Sequence, residues 1–194
     1  MKLTRVLPVL LMSFLAAGCA RSSPQAAPGP TAEPLVIADF DTCTPTNNLR
    51  GAMGAAYDAP DVLVETYVQE LDRGCVARLE WKVSGWSGFW LKIQGADFSK
   101  HRLLAFDIRA DEEKGIPGQI KVELKGDNQR VGVAYVKGLG SDWKTISVPL
   151  DAFVNPGYGK RLGRLTNLQE LVFVVERDKS GAEGVLFLDQ VVIR

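Results

Sequence analysis

Apolar and polar residues alternate along most of the chain from Leu35 onward. Ala77-Arg78-Leu79-Glu80-Trp81-Lys82-Val83 sets Leu79, Trp81 and Val83 on one face and Arg78, Glu80 and Lys82 on the other. The same period of two runs through Phe89–Ile93, Leu104–Arg109, Ile120–Lys125, Val131–Tyr135 and Trp143–Val148. Leu35–Phe40 opens the domain as a strand, and Glu170–Val175 and Val185–Ile193 complete the set. Gly, Pro, Asn and Asp punctuate the intervals, as in Gly115-Ile116-Pro117-Gly118, Gly126-Asp127-Asn128 and Asn155-Pro156-Gly157. Eight or nine short strands without a long helix predict an all-β, antiparallel β-sandwich of the jelly-roll sort over residues 35–194, one domain with its own core. Between Ala59 and Asp72 the pattern is weaker, and Val62–Val68 reads as a strand or an edge segment.

The first 34 residues follow other rules. Lys2 and Arg5 precede an apolar run from Val6 to Ala17, too short for an ordinary membrane span and of the composition of a secretory signal. Leu15-Ala16-Ala17-Gly18-Cys19 resembles the lipobox of bacterial lipoproteins. The resemblance implies cleavage after residue 18 and lipidation of Cys19, with two or three acyl chains holding the domain to a membrane. Ala20, rather than Asp, after that cysteine implies the outer membrane if the host has two. Residues 19–34 then form a lipidated tether. Its four prolines and lack of apolar periodicity predict a semi-extended spacer.

Charge and cysteine content narrow the picture further. Without residues 1–18 the chain has 21 Lys+Arg (23 less Lys2 and Arg5) against 23 Asp+Glu. This balance provides no strong field for nucleic acid or anionic lipid, so no nucleic-acid partner is expected. Setting Cys19 aside leaves Cys43 and Cys75. In an exported chain these are expected to form a disulfide closing a loop of about thirty residues, worth about 3–4 kcal/mol. Two buried thiols are the alternative. A zinc site is disfavoured by the single histidine, His101, and the absence of Cys-x-x-Cys spacing.

Several phrases occur in a recognisable order. Asp39-Phe40-Asp41 is followed by Asn47-Asn48, then Trp86-Ser87-Gly88-Phe89-Trp90-Leu91, then Asp97 to Arg109. Asp142-Trp143-Lys144 leads into Val148-Pro149-Leu150, and Leu186 to Ile193 ends the chain. This order is similar to the galactose-binding-like jelly rolls. They include non-catalytic carbohydrate-binding modules and the domain of a mitochondrial complex I assembly factor. The resemblance implies the fold, a carbohydrate or envelope-protein partner, and a structural calcium bound where the two chain ends meet, here at Asp39, Asp41 and Asp189. Calcium takes six to eight oxygens, so a few carboxylates with backbone carbonyls suffice. Capture of Asp189 by backbone N–H groups is the alternative, since a buried carboxylate needs some partner. Trp143 is expected to seal one end of the sandwich.

The polar faces of the central strands hold the candidate binding residues. Trp90 shares a face with Lys92, Arg109 with Asp107, and Glu123 with Lys121, while Glu176 follows the last apolar run of its strand. Trp86 and Tyr135 add rings. An indole among charged neighbours is an unusual occupant of a solvated face. A one-residue slip would instead bury Trp90 and expose Phe89. No nucleophile elbow, phosphate-binding glycine loop or zinc helix occurs, so a non-catalytic role is expected. A weak glycosidase is the third reading, through convergence of Glu80, Glu123 and Asp107.

Overall fold

The period-two segments become strands of two stacked sheets in the computed structural model, which describes residues 32–194. The signal segment, Cys19 and most of the tether lie outside the described residues. The strands are β1 (Leu35–Ala38), β2 (Met53–Tyr57), β3 (Val62–Glu70), β4 (Gly74–Lys82), β5 (Trp86–Ala96), β6 (Leu103–Ala110), β7 (Gln119–Gly126), β8 (Arg130–Lys137), β9 (Lys144–Pro149), β10 (Lys160–Arg161), β11 (Leu168–Glu176) and β12 (Glu183–Ile193). One helical turn, α1 (Arg177–Ser180), links β11 to β12. The uncertain stretch is the edge strand β3, paired along its length with β4.

The first sheet runs β3-β4-β12-β6-β9, and the second runs β10-β8-β7-β11-β5-β2. All pairings are antiparallel except the short β10–β8 contact. At the centre of the first sheet, β12 pairs with β4 through Leu188 and with β1 from Val191 onward. The change of partner coincides with an irregularity in the β12–β6 register after Asp189, where Gln190 has φ 48°. A bulge at that point bends the strand and re-aims its side chains.

Facing positions of the two sheets fill a common core. Trp81, Phe89, Phe98 and Phe106 are buried in it, and the Phe106 and Phe173 rings meet edge to face at 5.0 Å. Truncating such a phenylalanine to Ala would cost about 3–5 kcal/mol. The register of β5 is settled by this core: Phe89, Leu91 and Ile93 point in, and Trp90 points out. A disulfide joins Cys43, in the loop after β1, to the buried Cys75 of β4. That bridge pins the β1–β2 connection to the β3–β4 hairpin.

Trp143 does not seal the sandwich end. It lies on the outer face of the first sheet, over a second small apolar cluster formed by Val76, Val185 and Phe187. Arg73 stacks 4.2 Å from the ring centroid, and Nε1 donates to Glu70 at 2.9 Å. The loop leading into β9 therefore folds outward against the sheet instead of across its edge.

Candidate functional site

The outer face of the second sheet follows from alternation and register. The inward set on β5 is Phe89, Leu91 and Ile93, so Trp86, Gly88, Trp90 and Lys92 face out. The neighbouring strands continue three transverse rows. Trp90 lies beside Val172 of β11 and then Glu123 of β7. Gly88 lies beside Val174 and then Lys121, and the Lys121 row continues to Tyr135 of β8. Lys92 lies beside Glu170 and then Lys125. The result is an apolar strip along β5 and β11 flanked by a charged strip along β7. A groove of about 670 Å³ runs over both, and Tyr158, from the connection before β10, closes its far side.

Glycine shapes the aromatic wall. The indole of Trp90 lies across β2 and donates from Nε1 to the Ala55 carbonyl at 3.2 Å. Its ring occupies the space over Gly54, where a Cβ would stand 2.7 Å from Cζ2. A side chain on Gly54 would therefore lift the ring into the groove. Trp86, at the start of β5, is 45% exposed.

The charges form one alternating chain. Lys92 pairs with Glu170, which also accepts from Lys125 at 3.0 Å. Lys125 lies 3.7 Å from Glu123, and Lys121 bridges Glu123 at 3.1 Å and Glu176 at 3.3 Å. Lys179 ends the chain, 2.7 Å from Glu176 and 3.0 Å from the Tyr135 hydroxyl. The Tyr158 hydroxyl donates to Glu123. Burial pushes the Lys121 ammonium down, but Glu123 and Glu176 outweigh it and leave it well above the usual lysine range. Burial likewise raises the Glu170 and Glu176 carboxyls, yet their lysine partners hold both below the ordinary value. The Tyr158 phenol is pushed up by burial and by its bond to Glu123. Glu170 and Glu176 are thus ionised at neutral pH and matched by ammonium groups.

Of the residues picked from sequence, Trp86, Trp90, Glu123 and Glu176 come together here. Tyr135 lies on the same face, one strand beyond Lys121. Arg109 does not join them: it belongs to β6 of the first sheet, 2.5 Å from Glu70 and 3.6 Å from the Phe187 ring centroid. Glu80 and Asp107 are also on the first sheet, so neither converges with Glu123. The sequence reading missed Tyr158, Glu170 and the valine pair Val172 and Val174. A tyrosine between Gly157 and Gly159 in a polar loop was the available signal for Tyr158.

The three aspartates expected at a calcium ion are held in other ways. Asp189 is 1% exposed and accepts from Arg73 Nη1 at 3.0 Å and from the Gln190 N–H at 2.8 Å. The same Arg73 nitrogen lies 2.8 Å from Asp107, the cross-strand neighbour of Asp189. Asp39 exchanges hydrogen bonds with Asn48 and accepts from the Asp41 N–H. The Asp41 carboxylate lies against Gly74. Among the described residues no group of three or more His, Cys, Asp or Glu side chains is arranged to hold a metal ion. The donor set does not fit calcium, because a guanidinium stands where the cation would neutralise Asp189.

No family model matches the sequence, and no curated protein matches it. Solved structures do. A family 11 carbohydrate-binding module from Clostridium thermocellum, in complex with a β-1,3-1,4-mixed-linked tetrasaccharide, superposes with a TM-score of 0.67 at 18% identity, covering 82% of this chain and 94% of that one. The family 11 module of the cellulosomal cellulase Lic26A-Cel5E, also of Clostridium thermocellum, gives 0.66 at 17% identity, with 82% and 93% coverage. An exo-β-agarase gives 0.56 at 11% identity, with this chain spanning 25% of that larger one. At these identities the likeness establishes the fold, a jelly-roll β-sandwich of the kind found in carbohydrate-binding modules.

Proposed function

We propose that this chain is a non-catalytic carbohydrate-binding protein, held by a lipid on Cys19 at the bacterial cell envelope, at the outer membrane in a two-membraned host. The observation that carries the proposal is the outward-facing pair Trp86 and Trp90 above a valine floor, with charged and phenolic groups along one side. Pyranose rings have apolar C–H faces and polar edges. A groove with an aromatic and aliphatic strip beside a row of carboxylates, ammoniums and a tyrosine hydroxyl complements both. A groove of about 670 Å³ has room for more than one sugar unit. The lysine partners that hold Glu170 and Glu176 below their ordinary value favour binding over hydrolysis, because a glycosidase acid requires a raised pKa. The tetrasaccharide seen with one structural neighbour makes a mixed-linkage β-glucan the first ligand to try.

A glycan array probed with residues 35–194, with and without calcium, tests the reading. Binding to a neutral polysaccharide, unaffected by calcium and lost in Trp90→Ala, is the expected result. Binding to no glycan, together with capture of a specific envelope protein, would instead make the chain an interaction domain. Mass spectrometry of the mature N-terminus, beside a Cys19→Ser control, tests the lipid.

A further inference from the structure

Trp86 is the first residue of β5, directly after the turn Ser84-Gly85. Its ring direction at the mouth of the groove therefore depends on how that turn is held. The holding group lies outside the groove. Asp61, in the β2–β3 connection, is 6% exposed, and both of its carboxylate oxygens are spent on the turn. Oδ1 accepts from the Ser84 N–H at 2.6 Å and the Ser84 hydroxyl at 2.7 Å. Oδ2 accepts from the Gly85 N–H at 2.9 Å and the Trp86 N–H at 3.0 Å. None of the four donors carries a charge, and Asp61 makes no ion pair among the described residues. The Ser84 bonds, with those from Gly85 and Trp86, hold the carboxyl below its ordinary range. The Arg177 N–H, at the start of α1, donates to the Gly85 carbonyl at 2.9 Å, so the turn is held by a second element as well.

We propose that Asp61 is a positioning residue for saccharide binding: it fixes the backbone of Trp86 so that the Trp86 and Trp90 rings stand ready as a pair before the ligand arrives. The inference rests on the groove being the saccharide site. Ordering a ring in advance removes part of the entropy lost on binding. A carboxylate suits the task in a way its amide does not. Asn has one acceptor oxygen, so whichever way it turns, its NH₂ faces N–H donors on either Ser84 or the Gly85–Trp86 pair.

The experiment compares the full chain with Asp61→Asn, Gly85→Ala and Ser84→Ala. Affinity for the β-1,3-1,4-mixed-linked tetrasaccharide is titrated well below each unfolding midpoint, and ¹⁹F NMR is recorded after 5-fluorotryptophan labelling. Asp61→Asn is expected to weaken affinity by about tenfold and to broaden or shift the Trp86 resonance. Gly85→Ala places a Cβ 3.2 Å from Asp61 Oδ2 and is expected to act in the same direction, less strongly. Ser84→Ala leaves the Trp86 bond intact and should stay within about twofold of wild type. A purely structural role would lower thermal stability while leaving the affinity and the Trp86 resonance of the folded protein unchanged, and that result overturns the inference. Failure of the wild-type chain to bind the tetrasaccharide, or any glycan on the array, would overturn the groove reading itself.

Discussion

On the outer face of the first sheet, Trp143 is stacked beneath Arg73, lies 5.5 Å from Arg109 and is hydrogen-bonded to Glu70. Across the sandwich, Trp86 and Trp90 border an open groove. Both faces combine indoles, cations and carboxylates, but they spend them differently. In the first, cations cover the aromatic ring and neutralise a buried aspartate, so the residues serve each other. In the second, the cations pair mainly with carboxylates along β7 and β11; Lys92 also lies 5.2 Å from the Trp90 ring centroid, but Trp86 stays 45% exposed. The ingredients of a recognition surface therefore become one where an indole such as Trp86 keeps a large exposed area.

The comparison can be broken most forcefully at Arg73. Arg73→Met leaves Asp189 buried beside Asp107 with no compensating charge, which is expected to cost about 3–5 kcal/mol in urea unfolding while leaving saccharide affinity unchanged. In the wild type, calcium or a chelator should leave the thermal midpoint where it is. Removing the Cys43–Cys75 bridge by double substitution to Ser is expected to cost about 3–4 kcal/mol, again without effect on the groove. The tryptophans separate the faces directly. Trp90→Ala should cost about 2 kcal/mol of binding, about thirtyfold, and Trp143→Ala should lower stability with affinity within about twofold of wild type.

Acid gives a smaller, graded effect. Glu170, Glu176, Asp61, Asp97 and Asp127 have folded pKa values below their ordinary 4.5 and 3.8. Their contribution is complete above those ordinary values and is lost as pH falls through the lowered ones. Asp189 acts in the opposite sense, since burial raises it more than Arg73 lowers it. Five groups against one predict urea midpoints that are flat from pH 7 to about 5 and fall below about pH 4. High salt is expected to have the least effect, because surface pairs such as Arg78–Glu80 contribute about 0–1 kcal/mol.

Strand by strand, much of this architecture was legible, because a half-solvated sheet imposes alternation on its sequence. The exceptions have physical causes. Strand β2, Met53-Gly54-Ala55-Ala56-Tyr57, is built from small residues because the Trp90 ring lies across it, and small residues carry little periodic signal. Alternation assigns Arg109 and Glu123 each to a polar face but is silent on which sheet that face belongs to. Long-range pairing decides this, and it sent them to opposite sides of the molecule. Arg73 and Asp61 act from loops, through contacts spanning 116 and 25 residues, to Asp189 and Trp86 respectively. No local pattern records such reach, so the expected calcium was assigned to a position that an arginine fills.

The central claim, that the outer face of the second sheet is the binding surface, is tested most directly by titrating mixed-linkage β-glucan into wild type, Trp90→Ala and Trp143→Ala. Binding by wild type and Trp143→Ala, with a loss of about thirtyfold in Trp90→Ala, is the predicted result. Equal affinity in all three, or a loss confined to Trp143→Ala, would contradict it.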